Sequence, residues 1–202
     1  MSALDFFSRL GVFHIRNFFD AEVCAKLRAE VRSARGVSTT IYKGGLAFGV
    51  DEEGRRAKSR IVPDGTKLLV KRRLEDVRPS LEAHFGTGLR GIEGPDFLTY
   101  RPGDFFLAHR DSNADRDAPE TLNDRRVSVV IFLNGESEER DATSYSGGSL
   151  IIFGMIDAPG WASKGFPLRG REGLLVAFRS ELFHEVEPVT SGERYTIVSW
   201  FF

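Results

Sequence analysis

Two packed β-sheets of the jelly-roll kind, buttressed by helices that come first in the chain, are what this sequence predicts. The class is mainly β with flanking helices, α+β. Three observations carry the expectation. The first half holds two amphipathic helical stretches. The second half is a series of short apolar runs, rich in Val, Ile and Phe, set between Gly, Pro, Asn and Asp and lacking a helical period. A chain of 202 residues, 41% hydrophobic and 28% charged, can bury a sizeable core as one domain spanning 1–202.

In chain order, His14 sits between Phe13 and Ile15 and reads as a packed structural histidine on a strand. Asp20 is the expected N-cap of a helix that puts Val23, Leu27 and Val31 on one face, with Cys24 in its core. Residues 38–64 read as strands and loops. The stretch 44–64, with Gly44-Gly45 and a charged run, has the profile of a mobile lid. Within it Arg55, Arg56, Lys58 and Arg60 form a solvated loop or touch an anionic partner. Val70, Leu74, Val77, Leu81 and Phe85 recur at helical spacing. Pro79 is expected to kink that helix and Gly86 to end it, with His84 favourable near its C-terminus. Gly94-Pro95 reads as a turn, dividing a helical buttress (1–95) from a β core (96–202). Strands follow at 97–101, 126–134, 149–153, 173–178 and 194–202, and the acidic run 136–141 reads as a solvated loop tip.

Composition excludes several functions. The net charge of −1 provides no basic field for a polyanion, so no nucleic-acid partner is expected. One cysteine permits no intramolecular disulfide and no cysteine-rich zinc site. No apolar run approaches the roughly 20 residues of a membrane span, and the N-terminus lacks a secretory pattern. A cytoplasmic monomer or weak dimer is the expectation.

The chemistry gathers in the β half. His109 and Asp111 form an H-x-D pair, which on a strand would share one face. Alone this is a weak signal. His184 follows the 173–178 strand, and two histidines with one carboxylate make the facial triad of non-heme Fe(II) sites. Ten residues on comes Arg194, after a turn at 190–193. A hairpin would bring the Arg194 strand back beside His184, with Arg194, Thr196, Val198 and Trp200 alternating onto one face. An inward guanidinium calls for an anion. The alternative is an outward Arg194 paired with Glu185 or Glu187.

Residues 97–202 resemble the 2-oxoglutarate- and Fe(II)-dependent oxygenases, prolyl hydroxylase branch. The likeness rests on several segments in fixed order. They are Phe-Leu-Thr-Tyr-Arg-Pro-Gly-Asp before His109, the strand 125–134 ending in Leu-Asn, the Gly-Gly strand 145–153, and His184-Glu-Val-Glu-Pro followed by 194–200. The resemblance implies a double-stranded β-helix (jelly-roll or cupin-like) core. It implies His109, Asp111 and His184 as iron ligands and Arg194 as anchor of the distal 2-oxoglutarate carboxylate. Tyr100, Ser128 and Trp200 would border the cosubstrate. Phe132 stands where relatives often carry a tyrosine, and Leu150 where some carry threonine. The implied activity is hydroxylation of a prolyl or other residue in a protein or peptide, or of a related small molecule. It would use Fe(II), 2-oxoglutarate and O2, with ascorbate as reductant, and release succinate and CO2. Two rivals remain: a non-catalytic cupin-like binding protein and a His2Asp zinc hydrolase. Neither needs an inward arginine near the third ligand.

Overall fold

The computed structural model describes residues 3–42, 48–112, 120–139 and 141–202. Helix α1 (Ala3–Arg9) leads into strand β1 (Phe13–Ile15) and then α2 (Ala21–Ser33). Asp20 caps α2 as its residue type predicts, accepting the Val23 N–H at 2.8 Å. Cys24, Leu27 and Val31 are buried and Val23 packs at the margin. After β2 (Arg35–Ser38), β3 (Ile41–Tyr42), β4 (Phe48–Gly49) and β5 (Lys58–Ile61) comes the long helix α3 (Asp64–Phe85). It runs through Pro79 without a break in its assignment. Gly86 closes it in the left-handed conformation (φ 63°), its N–H bonded to the Glu82 carbonyl.

The remaining elements are β6 (Ile92–Tyr100), β7 (Phe106–His109), α4 (Glu120–Asp124), β8 (Val127–Phe132), β9 (Ser146–Gly147), β10 (Leu150–Ile152) and β11 (Phe166–Leu168). The chain closes with β12 (Leu175–Arg179), β13 (His184–Val186), β14 (Val189–Ser191) and β15 (Arg194–Phe201). A seven-stranded sheet has the order β1-β12-β8-β15-β6-β5-β2, and a four-stranded sheet the order β11-β10-β13-β7. Short pairs β9–β14 and β3–β4 complete the pairing. Among the described residues every ladder between these strands is antiparallel. The jelly-roll expectation holds; most expected strands shift by a residue or two at their ends, while β6 begins five residues before the expected 97. No helix among the described residues is long and apolar enough to cross a membrane.

Alternation sorts the large sheet into two faces. Val127, Val129, Ile131, Ala177, Ile197 and Phe201 join Leu74, Leu81 and Phe85 of α3 in one buried cluster. Val130, Phe132, Val176 and Phe178 turn the other way, against Leu150 and Ile152 of the small sheet and Leu4 and Phe7 of α1. The helices thus buttress one face of the large sheet. The other face lines the space between the sheets. Leu74 is fully buried, so Leu74→Ala should cost about 2–5 kcal/mol of unfolding free energy. Urea denaturation checks this; a loss below about 1 kcal/mol would mean α3 is not anchored here.

Three expectations are corrected. Gly94-Pro95 is not a turn but lies inside β6. The register against β15 slips there, from Val198↔Asp96 to Trp200↔Glu93, so one extra β6 residue is accommodated. Gly94 (φ 88°) and a cis bond to Pro95 occur at this bulge. The chain does not return as a simple hairpin after His184. β13 belongs to the small sheet and β15 to the large one, with β14 between them, so His184 and Arg194 lie in different sheets. Pro188, lacking an N–H, ends the β13 ladder. Finally, Glu136 is no solvated tip. Its carboxylate turns inward and accepts the Ser149 hydroxyl at 2.8 Å and 3.0 Å.

Candidate active site

A cavity of about 730 Å³ opens between the sheets, lined from the large sheet by β6 and β15 and from the small sheet by β7 and β13. His109, Asp111 and His184 meet in its wall, with one ligand atom from each within 4.8 Å of the others. His109 and His184 are register partners on β7 and β13. Asp111 is not on the strand, as alternation alone would have it. It lies past the end of β7, and its own N–H and that of Ser112 bond the Ser180 carbonyl at 3.1 Å and 3.0 Å. Asp111 Oδ2 stands 3.3 Å from His184 Nε2, and Oδ1 stands 3.7 Å from His109 Nε2.

Each imidazole is oriented through its other nitrogen. His109 Nδ1 lies 2.8 Å from the Leu107 carbonyl and His184 Nδ1 lies 3.0 Å from the Leu182 carbonyl. A carbonyl only accepts, so both Nδ1 atoms carry a proton and both Nε2 atoms are turned toward the carboxylate. Rings fix the planes: Phe106 stacks on His109 (3.5 Å, 19°) and Phe178 meets His184 edge-on (4.8 Å, 65°). Burial, aided by His184, lowers the His109 pKa to about 4. Burial also acts against His184 as a cation, yet the nearer Asp111 carboxylate raises it overall. Burial opposes ionised Asp111, but His184 and His109 together hold it well below the usual carboxylate range. The triad thus brings two imidazole Nε2 atoms and an ionised carboxylate to one point, a donor set that fits a divalent first-row metal, with His184 releasing its proton as the metal binds.

Arg194 is only 1% exposed and turns into the same cavity. Its guanidinium lies between the rings of Tyr100 (5.0 Å) and Phe132 (5.2 Å). Among the described residues its side chain makes one hydrogen bond, from Nη1 to Thr196 Oγ1 at 3.3 Å, and Nε has no partner. An outward pairing with Glu185 or Glu187 is overturned. Tyr145, which the sequence did not single out, is also buried beside Arg194, its hydroxyl unpartnered and its pKa pushed to about 12 by burial. Two orphaned buried donors side by side fit a carboxylate.

Of the other residues expected here, Tyr100 and Trp200 line the cavity, and Arg125 lies 3.8 Å above the Trp200 ring. Ser128 does not line it. Its hydroxyl pairs with that of Ser180 at 2.9 Å, behind the segment that holds Asp111. Arg125 was also missed by sequence reading. It forms a bidentate ion pair with Glu93 and reaches the Asp111 carbonyl at 3.4 Å. The lid expectation narrows. Residues 54–56 are tied to β7 by Leu107 N–H to Gly54 O (2.9 Å) and by mutual Arg56–Phe105 bonds, and β5 pairs on both edges. Ile41, Tyr42 and Phe48 of the β3–β4 pair border the cavity, as do Gly54 and Arg55, and Gly44 and Gly45 lie outside the described residues. His14 pairs with the Ser8 hydroxyl and His84 with the Gly11 carbonyl, both structural as expected.

Comparison with known proteins now becomes informative. The family described as "2OG-Fe(II) oxygenase superfamily" matches residues 95–202. A PKHD-type hydroxylase of Shewanella sp. (strain MR-4) is 34% identical over 191 residues, covering 94% of this chain and 77% of the relative. Another from Shewanella baltica (strain OS185) is 34% identical over 106 residues, and the match spans 41% of that relative's length. Among solved structures, a Pseudomonas putida prolyl-4-hydroxylase superposes with a TM-score of 0.69 at 23% identity, covering 98% of this chain and 95% of that one. A Trichoplax adhaerens prolyl hydroxylase, solved with a peptide fragment, gives 0.71 at 19% identity, covering 98% and 86%.

Proposed function

Because the chain belongs to the 2OG-Fe(II) oxygenase superfamily, we propose that it is an Fe(II)- and 2-oxoglutarate-dependent dioxygenase that hydroxylates an unactivated C–H bond. The substrate is a prolyl or other amino-acid residue, or a related small molecule, and succinate and CO2 leave as coproducts. One observation carries the reading: a His-Asp-His triad with its donor atoms within 4.8 Å shares a cavity with a buried arginine that forms no ion pair among the described residues.

In this reading His109, Asp111 and His184 hold Fe(II), which when bound supplies the activation of O2. The protein's part is position. The Leu107 and Leu182 carbonyls keep both Nε2 lone pairs aimed at the metal, and Ser180, tied to Ser128, holds the backbone of Asp111. Arg194 takes the distal carboxylate of 2-oxoglutarate, with the Tyr145 hydroxyl as second donor and Tyr100 at its flank. Phe132, Leu150, Val198 and Trp200 line or border the space with apolar surface, limiting water near the reacting centre. Ascorbate serves as external reductant.

Purified protein with Fe(II), ascorbate and 2-oxoglutarate should form succinate, and EDTA should abolish it. Excess Fe(II) should restore it after chelation. Succinate formation that survives complete chelation, or none under any metal, would sink the reading.

A further inference from the structure

Most charged groups in the cavity are already committed. Glu93 and Arg125 pair with each other, Asp111 serves the two histidines, and Arg110 lies exposed at the rim above the Phe183 ring at 4.2 Å. Arg194 is set aside for the cosubstrate. Two groups are left, one of each sign.

Asp96 projects from β6 on the same face as Leu98 and Tyr100, opposite Val198 of β15. It makes no hydrogen bond and no ion pair among the described residues. The bulge at Gly94-Pro95 is what allows Glu93 and Asp96, three positions apart, both to face the cavity. The Ser199 hydroxyl, bonded to the Glu93 carbonyl at 2.6 Å, pins the backbone there. Burial raises the Asp96 pKa, and Arg55 is the strongest of the charges that oppose the rise.

Arg55 lies across the same space. Its guanidinium rests 4.4 Å above the Phe106 ring, whose other neighbour is His109. Among the described residues its Nε is buried without a partner, and its side chain makes one long hydrogen bond, Nη1 to the Thr40 carbonyl at 3.4 Å. A bridge to Phe106 and a bond from its N–H to the Asp51 carbonyl fix its backbone. A free carboxylate and a free guanidinium therefore face one cavity, each held by its own element, and they do not join. Asp96 is exposed at the cavity and Arg55 is half-buried, so both charges are open to a bound molecule that carries the opposite ones.

We propose that Asp96 and Arg55 are the substrate-recognition pair and that the substrate is a free α-amino acid, its ammonium on Asp96 and its carboxylate on Arg55. This rests on the dioxygenase reading above and narrows its substrate from a residue within a protein to a small zwitterion. Each contact is a charge-assisted hydrogen bond, bidentate at the guanidinium. An interior residue of a peptide carries neither charge and forfeits both contacts, which favours the free amino acid.

The test is calorimetric titration of protein loaded with Mn(II) and 2-oxoglutarate. The probes are the twenty free L-amino acids, then the N-acetyl and the amide forms of any that bind, and an acetylated, amidated proline-containing pentapeptide. At least one free amino acid should bind, and each cap should weaken it tenfold or more. Asp96→Asn should erase the N-acetyl penalty and Arg55→Gln the amide penalty. These are ratios within one variant, so a partly unfolded sample does not distort them. Binding by none of the twenty, equal binding of capped forms, tighter binding of the pentapeptide, or penalties that persist in the variants would each overturn the proposal. Failure of 2-oxoglutarate to bind the Mn(II) protein would instead count against the dioxygenase reading, and the amino-acid titration without it still reads the recognition pair.

Discussion

Arg194→Ala is expected to raise the KM for 2-oxoglutarate at least about 30-fold while leaving metal affinity nearly unchanged. The guanidinium is buried, aimed into the cavity and short of partners, held only by Thr196 and two aromatic faces. Removing one member of a buried charge pair costs about 2–5 kcal/mol of binding, and the lower end of that range is already about 30-fold. Arg194→Lys should fall between, because an ammonium keeps the charge but not the planar fork. A thermal readout separates binding from folding. Wild-type protein should gain Tm with saturating 2-oxoglutarate, and the alanine variant should not. An unchanged KM together with an unchanged Tm gain would remove Arg194 from the cosubstrate site.

Asp111→Ala should abolish succinate formation and weaken Mn(II) or Fe(II) binding by at least about 100-fold. Even residues that merely orient a metal ligand cost about 10–100-fold when lost, and Asp111 supplies the only anionic donor of the triad. Its position depends on backbone bonds to Ser180 that the substitution does not touch, so the loop should keep its path. Anaerobic calorimetry with the metal alone reads the effect without turnover. Affinity within a few-fold of wild type would show that the carboxylate is not a ligand.

The sequence made the strands legible because their interiors are continuous Val, Ile and Phe, as in 127–132 and 175–178. The triad was legible because its three residue types are rare in combination. Arg194 was legible because alternation along β15 is unbroken. Three other features depend on relations between strands that no single strand records. The sheet change between β13 and β15 is decided by what β14 pairs with, and β9 lies more than forty residues upstream. The β6 bulge appears only as a slip against β15. Asp111 reads as a strand residue, yet it is held by a carbonyl from the far side of the chain. Ser128 shows the limit of transfer by resemblance: its position was right for a small hydroxyl, but the hydroxyl found Ser180 instead of the cavity.

That His184 and Arg194 sit in facing sheets has a consequence for chain length. Packed sheets stand about 10 Å apart, and His109 and His184 belong to one sheet while Arg194 belongs to the other. On the dioxygenase reading proposed above, the protein gauges its cosubstrate with the spacing of its own core. Phe7 and Leu4 of α1, wedged among Phe132, Leu150 and Phe178, help to set that spacing without touching the cavity. Selectivity between diacids one methylene shorter or longer is then a property of how the sandwich is filled, tunable from the amino-terminal helix at a distance from every polar group in the site.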